Sequence, residues 1–307
     1  MLTIVIPVFN EEKAIYNNFN RIKETLNQDC IDCQYVIVDD GSEDNSWLEI
    51  KKIVTNNKKV HAIKLSRNFG KEIAIIAGLN SLDSSLYLVM DSDLQHPPLE
   101  IKKMLLKMEE TGADIVEGIK SFRGTESLFY KLFAVSFYKL LNILTGFNLA
   151  NSSDFKLMNR KVVDELRNFQ ESKFFFRGVI DWAGFQKVSH YFNVDERING
   201  QSNFSTMKLV RLSLNAITSY TSKPLYLIFF TGLGFLLISL FLGIQTLYNY
   251  FSGLSVSGFT TVIILILFSG SIIMLSLGII GGYLAKIYDE VKYRPQYIIS
   301  ERLLDNE

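Results

Sequence analysis

Two carboxylates one residue apart, Asp91 and Asp93 in the stretch YLVMDSDLQHPP (87–98), point most directly to chemistry in this chain. An apolar strand of Tyr87, Leu88, Val89 and Met90 runs straight into them, and Pro97-Pro98 stops the segment. On an extended backbone the two side chains fall on one side, about 7 Å apart. Carboxylates that close repel each other and lose hydration when half-buried. A divalent cation removes that cost. Mg²⁺ or Mn²⁺ takes oxygen ligands, keeps several waters and completes its shell with substrate phosphates. The spacing therefore predicts a clamp for a metal–diphosphate. The plainer alternative is a turn at the end of a strand, where aspartate is common.

A sheet whose strands end on one side would position such a pair. Residues 2–8 form a β-branched run that leads into Phe9-Asn10-Glu11-Glu12, and Ile15, Phe19, Ile22 and Leu26 mark a helix over 13–27. Residues 35–38 form a second strand ending in Asp39-Asp40-Gly41-Ser42, and Asp44 opens a helix over 46–55. A third strand, 60–65, closes on Ser66-Arg67-Asn68-Phe69-Gly70-Lys71 before a helix over 72–82. A helix over 99–111 and a fifth strand over 114–119 follow the Asp91 segment. Such alternation predicts an α/β fold with a mainly parallel, doubly wound sheet. Ligands of these sheets bind beyond the carboxyl ends of the strands. Asn10, Glu11, Asp39, Asp40, Arg67, Asp91 and Asp93 fall at four such ends.

The 307 residues balance 32 basic against 32 acidic side chains, which argues against a nucleic-acid partner. The balance hides an asymmetry, because no Asp, Glu, Lys or Arg occurs between Pro224 and Ala285. Two apolar runs there, 225–248 and 259–283, each exceed the ~20 residues that cross a hydrocarbon core. Lys223 precedes the first, and Lys286, Lys292 and Arg294 follow the second, while the loop 249–258 has no basic residue. Both ends are therefore expected in the cytosol. The opening MLTIVIPVFNEE lacks the basic start of a signal peptide. Cys30 and Cys33, the only cysteines, have no second pair to complete a zinc site and are expected to sit reduced near the surface, before a strand.

Three further segments carry charge in apolar surroundings. SLFYKLFAVSFYKLLNIL (127–144) reads either as a helix packed on the sheet or as a membrane-surface helix whose Lys131 and Lys139 reach lipid phosphates. FFFRGVIDWAGF (174–185) sets Arg177 in an apolar helix, where an arginine calls for an anion, a phosphate or Asp181. Residues 205–222, with Lys208 and Arg211, form a candidate interfacial helix after a glycine-containing loop at 196–204.

Together VIPVFNEE (5–12), VDDGS (38–42), RNFGK (67–71), DSDLQHPP (91–98), SDFKLMNR (153–160), the spaced F-R-G-W-G-F of 175–185 and the R-P-x-Y of 294–297 resemble a known family. It is the family 2 glycosyltransferases of the polyprenyl-phosphate type: dolichyl-phosphate mannose synthases and, more closely, bactoprenol glucosyltransferases with two C-terminal spans. The resemblance implies a GT-A, Rossmann-like nucleotide-diphospho-sugar transferase domain in the cytoplasm (1–204) and an interfacial helix (205–223). Two transmembrane helices (224–286) and a cytoplasmic tail (287–307) would follow. Carried over by position, Pro7, Phe9, Glu11 and Asp39, with Asp40, would line the nucleotide pocket. Asp91, Asp93 and Gln95 would hold Mg²⁺ or Mn²⁺ with the diphosphate, and Arg67 and Lys71 would lie near the donor phosphates. Asp154 matches the residue at the reaction centre and Asp93 joins it as catalytic. Phe9 stands where many members have Tyr, Ser92 replaces a common Ala, Asn159 a frequent Asp and Asn203 a frequent Lys.

The expected reaction is inverting transfer of one hexose, glucose from UDP-glucose by closeness of resemblance, to undecaprenyl phosphate in the cell membrane. N-acetylhexosamine, galactose, mannose and a modified arabinose stay open as donors. Charge develops at the anomeric carbon while a diphosphate departs. The acceptor phosphate, with a second pKa near ~6, needs little deprotonation. Asp154 then either orients the reactants or acts as a weak base. Arg177, Lys131, Lys208 and Arg211 are the candidates to receive the lipid phosphate. The expected partners are the nucleotide sugar, the lipid, a second copy in a homo-oligomer (a tetramer among the options), and a downstream flippase and second glycosyltransferase. Rival readings are a polysaccharide or glycolipid synthase and an inactive membrane-anchored scaffold.

Overall fold

In strand β1 (Leu2–Val8) Ile4 and Ile6 turn to one face and Val5 to the other, and all are fully buried. Only a strand covered by helices on both faces hides every side chain in this way. The computed structural model, which describes residues 1–120, 153–169, 171, 174–193, 223–253, 258–292 and 294–303, supplies both covers. Helices α1 (Ile15–Gln28), α2 (Ser46–Thr55) and α4 (Leu99–Thr111) bury Phe19, Ile22, Trp47, Ile50 and Met104 against one face. Helices α3 (Lys71–Leu79), α5 (Arg160–Asn168) and α6 (Phe176–Ala183) bury Ile75, Val163 and Ile180 against the other.

The sheet takes in β2 (Cys33–Asp39), β3 (Val60–Leu65), β4 (Leu86–Val89), β5 (Ile115–Lys120), β6 (Lys156–Asn159), β7 (Lys187–Phe192) and β8 (Ile299–Leu303), in the order β7-β5-β6-β4-β1-β2-β3-β8. β6 is antiparallel to both β4 and β5, and β8 is antiparallel to β3, whereas the other pairings are parallel. The expected alternating α/β core is present as a mixed sheet. The inserted β6 matters most for chemistry, because an antiparallel strand begins where its neighbours end. Val89 pairs with Lys156, so Asp154 stands at the carboxyl edge of β4 and β5.

Four sequence expectations change. β4 stops at Val89, so Asp91 and Asp93 do not share a side of an extended strand. Asp93 Oδ1 instead accepts the Gln95 amide at 3.0 Å, and Leu94 adopts φ 61°, a side-chain-stabilised turn that outcompetes the strand. Helix α3 ends at Leu79 rather than 82, where the Ser81 hydroxyl donates to the Gly78 carbonyl. Cys33 is buried as the first residue of β2, leaving only Cys30 exposed; both are free thiols. The tail expected at 287–307 is divided: α8 (Phe259–Val291) runs on to Val291, and Ile299–Leu303 is β8 on the sheet edge. Trp47 Nε1 donates to Glu301 Oε2 at 2.8 Å, and Tyr297 and Ile299 pack on the core. β8 thereby pairs an edge that β3 would otherwise expose.

Helices α7 (Lys223–Phe251) and α8 form a separate unit, in which the Phe235 and Phe268 rings lie 5.4 Å apart. Their apolar stretches Ile228–Phe251 and Leu265–Val291, of 24 and 27 residues, are long enough to cross a membrane, and no residue in their most apolar windows is buried. Large side chains such as Phe229, Phe241 and Leu275 are outward-facing all along them. Apolar surface left uncovered on that scale calls for a covering, by lipid or by protein.

Candidate active site at the carboxyl edge of the sheet

The loops after β1, β2 and β3 are joined by backbone amides. Asn10 adopts φ 56°, donates its amide to Ser42 Oγ at 3.0 Å and accepts the Glu43 amide on Oδ1 at 2.9 Å. Glu11 donates its amide to Ser46 Oγ at 2.7 Å. Gly41 adopts φ 68°, and a Cβ there would stand 2.2 Å from the Arg67 carbonyl carbon, so this crossing of two loops needs glycine. Asp40 turns inward and accepts the amides of Phe69 at 2.8 Å and Gly70 at 2.9 Å. Burial pushes its carboxyl up, and those two amides oppose the shift. Asp40 thus acts as a loop brace with both oxygens engaged.

Asp39 is fully buried at the end of β2. Its Oδ1 accepts the Ser42 amide at 2.9 Å, while among the described residues Oδ2 has no hydrogen-bond partner and Lys64 Nζ stands 4.0 Å away. A buried carboxylate oxygen left this way is costly unless a ligand donor reaches it. Pro7 is buried beside it in the sheet, Phe9 is 41% exposed at the end of β1, and Glu11 is half-buried. Burial first, then Asp93 and Asp44, raises the Glu11 carboxyl. Arg67 lies exposed with its guanidinium 4.2 Å over the Phe69 ring.

Across the edge, long side chains replace amides. Lys71, the first residue of α3, forms an ion pair with Asp91 Oδ1 at 2.6 Å and donates to Asp154 Oδ2 at 2.7 Å. Arg177, the second residue of α6, grips Asp154 with Nε to Oδ1 at 2.7 Å and Nη2 to Oδ2 at 3.0 Å. Burial would raise the Asp154 carboxyl, yet Arg177 and then Lys71 hold it well below the usual carboxylate range. The expected alternative partner of Arg177, Asp181, pairs with Lys187 instead. Arg177 and Asp181 lie four apart on one helix, but the fork of Arg177 meets the better-aligned Asp154.

The Asp91 loop is also held from below. Its amide donates to His96 Nδ1 at 3.0 Å, and the His96 ring stacks 4.8 Å from Phe155. Burial pushes His96 down to about 4, so the ring is neutral and its nitrogen free to accept. Phe155 follows Asp154, whose turn is fixed by the Ser153 hydroxyl on the Gly118 carbonyl and by the buried Lys156–Glu117 pair. Gln95, expected near a metal, accepts Lys120 Nζ on Oε1 at 2.9 Å.

Among the described residues no three His, Cys, Asp or Glu side chains converge on a point that could hold a metal. Asp91 and Asp93, two hard carboxylates on one short loop, nevertheless fit a Mg²⁺ or Mn²⁺ ion that draws the rest of its shell from a diphosphate and water. Lys71 would then share Asp91 with the ion. Lys131, Lys208 and Arg211 lie outside the described residues. The sequence reading missed Glu72 and His96 as site neighbours. His96 was visible in the Asp91 motif, whereas Glu72 gave no signal apart from its place beside Lys71.

The family model "Glycosyl transferase family 2" matches residues 3–167. YkcC of Bacillus subtilis (strain 168), described as an uncharacterized glycosyltransferase, is 35% identical over 97% of this chain and 93% of its own length. The SfII prophage-derived bactoprenol glucosyl transferase of Shigella flexneri is 33% identical over 98% of this chain and 97% of its own. Glucosyl-3-phosphoglycerate synthase from Mycobacterium tuberculosis, solved with Mn²⁺, uridine diphosphate and phosphoglyceric acid, has a similar fold. It superposes with a TM-score of 0.50 at 17% identity, over 71% of this chain and 76% of that one.

Proposed function

The chain belongs to glycosyl transferase family 2, and from that premise we propose that it moves one hexose, glucose, from a uridine diphosphate donor onto the phosphate of a polyprenyl lipid. The observation that carries the reading is the Lys71 bridge, which holds Asp91 and Asp154 on one ammonium at the carboxyl edge of the sheet. A donor diphosphate at the Asp91 loop would thereby lie next to the carboxylate of the reaction centre. The nucleoside end would extend toward Phe9, Glu11 and the Oδ2 of Asp39, which accepts no hydrogen bond among the described residues.

Asp91 and Asp93 would hold Mg²⁺ or Mn²⁺, which stabilises the negative charge of the leaving diphosphate. An oxygen of the acceptor phosphate attacks the anomeric carbon from the face opposite the diphosphate. The carbon–oxygen bond to the diphosphate breaks with its electron pair, and the configuration inverts. Lys71 neutralises charge on the departing group. Asp154, kept ionised by Arg177 and Lys71, orients the acceptor and takes little part in proton removal, since the phosphate arrives largely deprotonated. The helices α7 and α8 would seat the enzyme where such a lipid resides, because each CH₂ drawn into water costs about 0.8 kcal/mol. We place the catalytic unit in the cytosol on the basis of the lysines and arginine that flank the apolar runs.

The test uses the full chain in bilayers with undecaprenyl phosphate, Mn²⁺ and radiolabelled UDP-glucose. The expected product is a labelled lipid monosaccharide extracted into organic solvent. Label in a polymer, or transfer from GDP-mannose or UDP-N-acetylhexosamine in place of UDP-glucose, would overturn the acceptor or donor assignment respectively.

A further inference from the structure

Helix α6 begins without a cap of its own: Phe175 offers no side-chain acceptor to the first turn. Orphan amides at a helix start must be met from elsewhere. Here the acceptor is Glu72, 104 residues earlier on the first turn of α3, whose Oε2 takes the Phe176 amide at 3.3 Å. Phe176 is the residue before Arg177. The carboxylate therefore fixes the backbone that aims Arg177 at Asp154, while the preceding residue, Lys71, bridges Asp154 and Asp91. A negative group at a helix N-terminus is also favoured by the helix dipole.

We propose that Glu72 is a positioning residue for sugar transfer: it sets Arg177 on Asp154 and, by carrying or losing a proton, subtracts or adds one negative charge beside the phosphate-binding cluster. The inference rests on the transfer reaction proposed above. The charged groups facing Glu72 are Lys71 on its own helix, Arg177 on α6 and Asp154 at the entry to β6. Lys71, Arg177, Asp91 and Asp154 balance one another, so the state of Glu72 changes the charge beside them by one when a diphosphate arrives. Burial, then Asp154, pushes the Glu72 carboxyl up to about 7, against the Phe176 amide, Arg177 and Lys71. The switch between the two states thus falls at neutral pH.

UDP-glucose binding separates the two claims, because its diphosphate has no proton to lose near neutrality. In the full chain with Mn²⁺, the Kd for UDP-glucose should rise roughly three- to tenfold between pH 6 and pH 8, the effect of one added charge at short range. In Glu72→Gln that rise should vanish. Glu72→Ala should lower kcat for lipid transfer about tenfold, and Glu72→Gln, which keeps the oxygen acceptor, should recover most of it. A wild-type pH dependence retained in Glu72→Gln would overturn the charge role. Equal kcat in wild type and Glu72→Ala would overturn the positioning role. If Glu72→Ala fails to fold, the binding profile of Glu72→Gln decides the charge role, and Glu72→Asp, whose shorter side chain draws the carboxylate back from the Phe176 amide, decides the positioning role by its kcat. If no lipid phosphate accepts glucose from wild type, the transfer reading fails while the binding profile still judges Glu72.

Discussion

Asp40 and Asp154 are both buried aspartates at the carboxyl edge of one sheet, yet they are held by opposite means. Asp40 is braced by two backbone amides, and burial raises its carboxyl. Asp154 is gripped by two cationic side chains that keep its carboxyl low. Amides belong to the chain and cannot leave without unfolding a loop. An ammonium and a guanidinium on flexible stems can exchange partners when phosphates arrive. The loops after β1, β2 and β3 are therefore built to stay as they are. The β4–β6–α6 side is built to be rearranged by a ligand. A nucleoside would suit the first kind of surface, and the phosphate charge of an arriving acceptor or a departing diphosphate would suit the second.

The sharpest way to break this contrast is to neutralise each aspartate in turn. Asp154→Asn leaves Lys71 and Arg177 without their shared counter-charge and should lower kcat for transfer by a factor on the order of 10² through loss of orientation. Its affinity for UDP-glucose, measured by calorimetry, should tighten by no more than the roughly three- to tenfold that one charge at short range makes, because the amide-built loops are untouched. A collapse of nucleotide binding in this variant would show that the two sides are not separable. The pH behaviour follows the same division. A carboxyl held below its usual range contributes stability that is present above the unfolded pKa and lost as pH falls through the folded one. Asp154 therefore adds nothing to pH dependence between 5 and 8.

Asp40→Ala tests the other side and should fail differently. Two amides lose a charged acceptor, and hydrogen bonds to a charged group contribute about 1.5–3 kcal/mol each, reduced here by the cost of burying the carboxylate. A net loss of roughly 1–3 kcal/mol predicts a Tm lower by about 2–10 °C. The kcat of the surviving folded enzyme should stay near wild type. A variant of wild-type Tm with abolished turnover would move Asp40 from brace to reactant.

Much of this contrast was legible before any coordinates. The bounds of β1, α2, β3 and α4 coincide with the apolar periodicity, because each element buries its own pattern against a local neighbour. The four loops carrying Asn10, Asp39, Arg67 and Asp91 follow from strand ends alone. What periodicity could not reveal is non-local. The strand Ile299–Leu303 is five residues with a weak alternation, made stable by Trp47, Lys51 and the free edge of β3 more than 230 residues away. The reversed direction of β6, which delivers Asp154, depends on its insertion between β4 and β5 and leaves no mark in four residues. The partners of Asp154 were hidden as well. Arg177 has Asp181 four residues along its own helix, and sequence distance favours that nearer pair over the Asp154 that the fold supplies.

The smallest expected effect sharpens the contrast at its rigid end. Phe9 sits at the end of β1, 41% exposed, beside loops whose amides are already committed. If that surface works by shape, what Phe9 offers a nucleobase is a flat ring face, and stacking on an aromatic contributes about 1–3 kcal/mol per base. Phe9→Ala should then weaken UDP-glucose binding by roughly five- to a hundredfold. Phe9→Tyr keeps the face, adds a hydroxyl toward solvent, and should shift Kd less than about threefold, with kcat unchanged. A gain of tenfold or more in Phe9→Tyr would mean that a polar contact is missing from this surface and that its nucleoside side is less complete than its hydrogen bonding suggests. Equal binding by Phe9→Ala and wild type would place the base elsewhere, leaving Glu11 and Asp39 as the anchors on that side.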